Sequence, residues 1–289
     1  MESLRRSGAI FYILPALIVM ALITLYPFIY TVILSFHEWN LTTFQGKQFL
    51  GIDNYIQFFN ESDTRDSLKV TLIYLVSCVG VEFILGIAIA FLFDSKFKGQ
   101  NVIRNLLLFP MLMCPVVAGL IWRWILNAEL GIANYIVQLI GLSPIPWLTQ
   151  PRLALFSVIL ADIWQWTPFI FLICLAGLQA VPRGLIEAAS IDGASWVDIQ
   201  RYISLPIIRP VILTGLLIRM IDAIRFVDKI FVLTYGGPGS ATSVLGFLIY
   251  LRGFKYFQMG LTAAYSLVLL ALIILLANIL IRSLKRKEK

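Results

Sequence analysis

The sequence predicts an all-α membrane protein with six transmembrane helices and both termini in the cytoplasm. Of its 289 residues, 60% are hydrophobic and only 13% are charged, and the mean hydropathy is +0.88. A soluble domain of this length cannot bury so much apolar surface, so we expect lipid around most side chains. Six stretches are long enough to cross a hydrocarbon core of roughly 30 Å, at approximately 9–35, 69–93, 104–126, 153–178, 207–232 and 260–282.

The distribution of Lys and Arg predicts the orientation. Thirteen of them lie on the side of the two termini and six on the opposite side. The positive-inside rule places the richer side in the cytoplasm. The net charge of +7 therefore reflects the ends of membrane segments and does not indicate a nucleic-acid partner. The outer loops then cover about 36–68, 127–152 and 233–259, and we expect the helices and linkers to form a single domain, 1–289.

The first three spans follow from length and composition. The first apolar run begins after Arg5 and Arg6 and continues to about Leu34. This run is too long for the core of a signal peptide and predicts a spanning helix. The second and third spans carry Glu82 and Arg123 inside the membrane, and we expect these two residues to pair across helices.

The fourth and fifth spans carry polar side chains at depths where they are costly. The string "ADIWQWTPFIF" at 161–171 places Asp162 near mid-membrane, and four charged residues recur every three positions from Arg219 to Asp228, with Lys229 next. Opposite charges at this spacing neutralise each other, so the series is either a structural ladder or the lining of a pathway. The candidate pathway residues are Trp164, Gln165, Trp166, Thr167, Phe169, Asp222, Arg225 and Phe226.

A polar cytoplasmic segment, 183–206, lies between these two spans. It begins as a short helix that Gly193 ends, because glycine adopts the left-handed conformation without strain. Ser195 and Asp198 have the spacing of a capping box for a second short helix, and Pro206 fits the first turn of the fifth span. The segment either rests on lipid headgroups or docks to a cytoplasmic protein, and its small residues favour a protein groove.

Few residues in this sequence could support a disulfide, a metal site, a catalytic site or a nucleotide site. Cys78, Cys114 and Cys174 lie in apolar stretches without a CxxC motif, and His37 is the only histidine. Disulfide, metal and His-based catalytic roles are therefore not expected. No G-x-x-x-x-G-K-[ST] motif occurs, so we expect no nucleotide and no cofactor on this chain. The glycine-rich loop "TYGGPGSAT" at 234–242 also lacks a lysine.

Several motifs together resemble the permease subunits of binding-protein-dependent ABC importers. The signature E-A-A, three residues, Gly, then I-x-L-P appears as Glu187-Ala188-Ala189, Gly193 and Ile203-Ser204-Leu205-Pro206. The strings "AGLQAVPRGLIEAASIDGA" (176–194) and "FVLTYGGPGSATSVL" (231–245) look like the carbohydrate-uptake branch, the maltose/trehalose-permease-like group. "LPAL", "YPF", "GIDNY" and "GLTAAYS" extend the likeness over nearly the whole chain.

The resemblance implies that 183–206 is a coupling segment seated in a cleft of a cytoplasmic ABC ATPase. By that likeness Glu187 is the acidic contact and Gly193 the turn, and the further coupling residues are Ala188, Ala189, Asp192, Leu205 and Pro206. It also implies a second homologous permease, two ATPase copies that carry ATP and Mg²⁺, and an extracytoplasmic sugar-binding protein. The expected location is the cell (inner) membrane of a bacterium or archaeon, and the expected role is transport without enzymatic chemistry on this chain.

The candidate pathway residues suit a sugar, because amide, hydroxyl and charged groups bind hydroxyls and aromatic rings cover apolar sugar faces. The mixed-sign charges favour a neutral sugar over a phosphate ester. One rival hypothesis is an ion-coupled secondary carrier with Asp162, Glu82 or Asp222 as its ion site. A membrane-embedded enzyme or scaffold is a second rival, but the sequence offers it no constellation of catalytic residues at the water boundary.

Overall fold

The computed structural model describes residues 2–44, 46–95 and 97–285, with the side chains of 2–12 and 283–285 left out. Over these residues the chain is mostly helical, in the order α1 (Glu2–Leu34), α2 (Asp53–Asn60), α3 (Ser62–Asp94), α4 (Gln100–Leu108), α5 (Pro115–Ile125), α6 (Ile132–Leu139), α7 (Pro151–Gln179), α8 (Arg183–Ile191), α9 (Trp196–Ile199), α10 (Leu205–Ile224), α11 (Asp228–Leu233), α12 (Leu245–Tyr250) and α13 (Met259–Lys285). Two short strands, β1 (His37–Glu38) and β2 (Gln48–Phe49), form an antiparallel hairpin. By their internal contacts the residues group into two compact units, Met1–Glu61 with Ile249–Ala271, and Ser62–Leu248 with Leu272–Lys289.

Four helices in the described part of the chain are long and apolar enough to cross a membrane. They are Ile13–Leu34, Ser62–Asp94, Pro151–Gln179 and Met259–Arg282, and they fall on the first, second, fourth and sixth predicted stretches. A fifth crossing results if the bent pair Gln100–Leu112 and Pro115–Ile125 counts as one span.

The third predicted stretch, 104–126, is not one straight helix. Its two halves meet at an angle of 100°. Met113 and Cys114 between them have extended backbones, with ψ of 144° and 134°. The cause is Pro115, because the proline ring clashes with a helical conformation at the preceding residue.

The fifth predicted stretch, 207–232, is also not continuous. The helix α10 begins one turn after α9, at Leu205, and ends at Ile224, and α11 starts only at Asp228. Although α10 is long enough to span, it carries three charged residues, Arg209, Arg219 and Asp222. The charges on α10 therefore need partners. After the break, Lys229 on α11 reaches Asp162, the carboxylate that Arg219 also contacts.

The first unit is built around the β1–β2 hairpin, α2 and the start of α13. The N–H groups of Met259 and Gly260 donate to the carbonyl oxygen of Trp39, at 2.8 and 3.3 Å. A Cβ at position 260 would lie 1.9 Å from the carbonyl oxygen of His37. Only glycine allows β1 to approach the helix so closely, which explains why a glycine begins the string "GLTAAYS".

The second unit has the contact of α3 with α7 at its centre, with α10 against both helices and α5 against α11. The two central helices run in the same direction, since Tyr74 meets Asp162 and Gly86 meets Ile170. Small residues permit this packing, as is usual between helices in lipid. A Cβ at Gly86 on α3 would lie 2.8 Å from Cβ of Ile170 on α7. The close approach brings buried polar side chains on α3 and α7 within hydrogen-bond distance of each other and of α10.

Candidate functional site

The polar segment between the fourth and fifth predicted spans has the helix, turn and helix expected from the sequence. The first helix, α8, ends at Ile191, and Gly193 follows it with φ of +84°. The side chain of Ser195 accepts from the N–H of Asp198 at 3.2 Å, and the N–H of Ser195 donates back to the Asp198 carboxylate at 3.3 Å. The capping box is therefore confirmed, and it begins α9.

The predicted coupling residues lie on the outside of this segment. Glu187, Ala188, Asp192, Gly193 and Pro206 are exposed, while Ala189 and Leu205 are half-buried. This arrangement leaves the carboxylates of Glu187, in the middle of α8, and Asp192, just after its end, free to contact another molecule.

Two contacts anchor the segment to the membrane helices. Gln200, which is buried after α9, donates from Nε2 to the carboxylate of Asp94 at the end of α3, at 3.4 Å. The ring of Trp196 meets that of Phe91 edge-on, with centroids 6.2 Å apart. Beside them lies a cavity of about 600 Å³, lined in part by Asp94 and Glu187. The segment is thus held against α3 on one side and exposed on the other.

A second feature is a set of buried ionic side chains, Glu82, Asp162, Arg219 and Lys229 with Tyr74, which we call the buried charge network. Arg219 binds Glu82 with two hydrogen bonds, from Nε at 2.7 Å and from Nη2 at 2.9 Å. Its Nη2 also contacts Asp162, which accepts from Lys229 Nζ at 2.5 Å and from the Tyr74 hydroxyl at 2.6 Å. The five side chains are almost completely buried. Two cations and two carboxylates balance, as burial away from water requires.

The network corrects the predicted pairing of Glu82 with Arg123. Glu82 is bound by Arg219, and Arg123 Nη1 donates to the carbonyl oxygen of Val232 at 3.1 Å. The i,i+3 contact within α10 is confirmed, since Arg219 Nη1 lies 3.2 Å from Asp222 Oδ2. Tyr74 was not singled out from the sequence, although its spacing of eight residues from Glu82 places both on one face of α3.

The predicted pathway residues of α7 have several different environments. Gln165 is buried and donates to the carbonyl oxygen of Met113 at 2.9 Å, and Thr167 donates to its own helix at the carbonyl of Ile163. Trp164 and Thr167 line a largely apolar cavity of about 280 Å³ together with residues of α3 and α4. This cavity suits an apolar group better than a sugar.

Trp166 and Phe169 pack edge-on, with centroids 6.1 Å apart, and the Arg219 guanidinium lies 5.3 Å from the Trp166 ring. These contacts place the half-buried Trp166 next to the buried charge network.

The predicted pathway residues after Met220 also differ in accessibility. The Asp222 side chain is 49% exposed, and Arg225 is exposed with its Nε donating to the carbonyl of Ile221 at 3.3 Å. Phe226 is buried, and its ring stacks on Tyr74 at 5.0 Å. Asp222 and Arg225 are thus accessible at the break after α10, whereas Phe226 supports the buried charge network.

The loop 234–242 is closed by its own hydrogen bonds. The hydroxyls of Thr234 and Thr242 lie 2.7 Å apart, and Thr242 also donates to the carbonyl of Gly237 at 3.0 Å. Gly236, with φ of +82°, lies directly against the ring of Phe247. The loop therefore has a defined shape set by its glycine and threonine residues.

Long apolar helices, a balanced charge network in their interior and an exposed polar helical segment between them define a membrane-embedded transport component. Comparison with known proteins agrees with this class. The chain belongs to the family described as the binding-protein-dependent transport system inner membrane component, whose match covers residues 82–288.

Curated relatives cover most of the chain. The trehalose/maltose transport system permease protein MalF of Thermococcus litoralis is 37% identical over 248 residues, 86% of this chain and 82% of that protein. The trehalose transport system permease protein SugA of Mycobacterium tuberculosis is 35% identical over 279 residues, 96% of this chain and 88% of its own.

Solved structures share the fold. A chain in the crystal structure of a bacterial alginate ABC transporter, in complex with an alginate pentasaccharide-bound periplasmic protein, superposes with a TM-score of 0.86 at 20% identity. The match covers 100% of this chain and 98% of that one. The chain therefore has the fold of an ABC importer permease.

Proposed function

We propose that this chain is a permease subunit of an ATP-driven ABC importer and forms half of the translocation pathway for a sugar. The observation that carries the proposal is the exposed α8–α9 segment between two membrane helices of a chain from this transport family. The relatives named for trehalose and maltose support a neutral sugar as the substrate.

The proposed topology has six spans and cytoplasmic termini within one translocation domain, 1–289. Four long apolar helices supply four spans, and the bent α4–α5 pair and α10 supply the other two. The excess of Lys and Arg on one side supports the orientation. The long exposed apolar surface of α1 supports a second, homologous permease or lipid beside it.

The coupling part of the proposal assigns the exposed face of α8 and its Gly193 turn to a cytoplasmic ATPase. Two copies of this ATPase would bind ATP and Mg²⁺, and their closure would displace the segment. The displacement has a physical route inward, because Gln200 binds Asp94 at the end of α3 and the chain continues directly into α10. These two helices carry Glu82 and Arg219, so a movement at the membrane surface reaches the buried charge network.

The sugar part of the proposal uses the accessible members of the predicted pathway. Asp222 and Arg225 offer charged hydrogen-bonding groups at the break after α10, and half-buried Trp166 offers a flat ring. The buried members Gln165, Thr167 and Phe226 would position these groups. An extracytoplasmic binding protein would deliver the sugar, and the second permease would complete the path.

The test is ATP-coupled sugar uptake in liposomes that contain the assembled transporter and its binding protein. Replacing Glu187 with alanine should reduce trehalose or maltose uptake and the stimulation of ATP hydrolysis by the loaded binding protein. Glu129→Ala is the matched control, because Glu129 is an exposed carboxylate in the loop between α5 and α6. Full coupling in Glu187→Ala would contradict the role of α8, and uptake without any ATPase subunit would contradict the whole proposal.

The structure argues against Asp162 as the ion site of an ion-coupled carrier. Asp162 is occupied by Arg219, Lys229 and Tyr74. A carboxylate with two cationic partners has little to gain from a transported cation. The comparisons also give this rival no support.

A further inference from the structure

The first unit contains a polar cavity that the proposed function does not use. Its volume is about 270 Å³, and we call it the hairpin cavity because it lies beside the β1–β2 hairpin, between the start of α2 and the start of α13. Five of its lining residues carry the argument: Glu38, Trp39, Asn54, Gln57 and Gln258. The other residues that line it are Asn40, Leu50 and Leu261.

Two amides of the hairpin cavity have a fixed orientation. Asn54 donates from Nδ2 to the carbonyl oxygens of Ser35 and His37, at 2.8 and 3.0 Å. Both N–H bonds are thereby used, and Oδ1 is the atom left to accept. The amide of Gln258 has the opposite arrangement. Its Oε1 accepts from Arg252 Nη1 at 3.1 Å, so its Nε2 is the atom left to donate. The cavity therefore presents one fixed acceptor and one fixed donor.

The donor of Gln258 is held by a rigid cluster. Arg252 is buried, forms an ion pair with Glu61, and lies 5.2 Å from the ring of Tyr265. The Tyr265 hydroxyl donates to the same Glu61 carboxylate at 2.6 Å. An arginine has no acceptor, so it fixes which end of the Gln258 amide faces it. A site with this degree of support differs from a surface crevice with mobile side chains.

The remaining polar groups are available to a ligand. Within the described residues, the side chains of Glu38 and Gln57 are exposed and have no hydrogen-bond or ionic partner. Trp39 is half-buried, and the Lys47 ammonium lies 4.5 Å from its ring. The hairpin cavity thus combines a carboxylate, donors, acceptors and an indole in one polar pocket.

This combination matches the chemistry of a neutral sugar. Each hydroxyl both donates and accepts, so a sugar ring uses fixed donors and fixed acceptors at neighbouring positions. The unpaired Glu38 carboxylate disfavours an anionic ligand. The volume is below the roughly 300–1,000 Å³ of pockets for larger ligands, which suits one ring rather than an oligosaccharide.

We infer that the hairpin cavity binds one ring of a neutral sugar on the extracytoplasmic side, before the sugar enters the membrane-spanning path. The inference rests on the proposed function for the substrate class and for the side of the membrane on which residues 36–68 lie. The site is separate from Asp222 and Arg225, since none of its lining residues belongs to the predicted pathway.

The test measures direct sugar binding to the assembled transporter in lipid nanodiscs without its binding protein. The probes are trehalose, maltose and glucose at millimolar concentrations, and their binding is measured by saturation-transfer NMR. Gln57→Leu removes an exposed, unpartnered amide and should weaken binding by roughly five- to tenfold, the effect of one hydrogen bond to a neutral ligand. Gln48→Leu is the matched control, because Gln48 is exposed on β2 and does not line the cavity.

The outcomes separate this inference from the proposed function. Loss of affinity in Gln57→Leu and wild-type affinity in Gln48→Leu support the site. Equal binding by both variants, or no binding of any probe to the wild type, overturns it, while ATP-coupled uptake by the wild type still upholds the proposed function.

Discussion

The buried charge network should tolerate the removal of a balanced pair of charges far better than the removal of one charge. The informative single change is Asp162→Asn. It keeps the shape of the side chain but removes the carboxylate that binds Lys229, whereas Arg219 keeps both hydrogen bonds to Glu82. Lys229 is fully buried, and Asp162 is its ion-pair partner among the described residues.

The magnitude follows from this burial. Leaving one member of a buried ion pair without its partner costs about 3–5 kcal/mol. At about 2–4 °C per kcal/mol, the melting temperature should fall by roughly 6–20 °C. The double change Asp162→Asn with Lys229→Met removes both charges at once and keeps an unbranched side chain only one heavy atom shorter than that of lysine. It should regain most of the loss, because exchanging a buried pair for neutral groups is often close to neutral.

The assay is thermal unfolding of the full chain in detergent. Unfolding is monitored by tryptophan fluorescence and by the fraction of protein that stays monodisperse after heating. Asp228→Asn is the control, since Asp228 is an exposed carboxylate next to Lys229 in sequence. A double variant as unstable as the sum of its single changes would refute the charge-balance argument. So would an Asp162→Asn protein that melts together with the control.

Two further predictions concern packing and the coupling segment. Gly86→Ala should lower the unfolding free energy by about 1–3 kcal/mol, because the new methyl group would overpack against α7. Gly80→Ala is the control and should not, since nothing lies within 4 Å of a Cβ there. Equal melting temperatures for the two variants would contradict this prediction. Ser195→Ala removes the cap of α9 and should lower the stability of that helix by about 1 kcal/mol. Hydrogen exchange at the Asp198 amide should then quicken about fivefold. Unchanged exchange would show that the cap does not hold the helix.

The coupling segment could be predicted in detail because its signals are local. The glycine at the end of α8, the Ser195–Asp198 capping box and the proline at the start of α10 each act through neighbouring backbone groups. Such interactions do not depend on what the rest of the chain does. The structure confirms all three.

The bend and the break in the membrane helices were less accessible to the same reasoning. Pro115 is visible in the sequence, but a run of apolar residues around it outweighs one proline when spans are assigned by length. The gap between Ile224 and Asp228 has no proline or glycine. After this gap Lys229 reaches Asp162 on α7 from a separate helix, a contact that no local signal in the sequence indicates.

The hairpin cavity was not predicted because its residues are far apart in the sequence. Gln258 lies some two hundred positions after Glu38, and neither belongs to a motif. Even the orientation of the Gln258 amide depends on Arg252, which is itself held by Glu61.

The sequence by itself determined that this chain lies in a membrane, which segment is polar and capped, and that its intramembrane charges need partners. Those conclusions rest on composition, short-range backbone chemistry and the cost of a charge in lipid. Only the tertiary structure decided which partner each charge has, so that Glu82 binds Arg219 and not Arg123. The physical reason is that partner choice depends on the rotation and close approach of α3, α7 and α10, which small residues such as Gly86 permit.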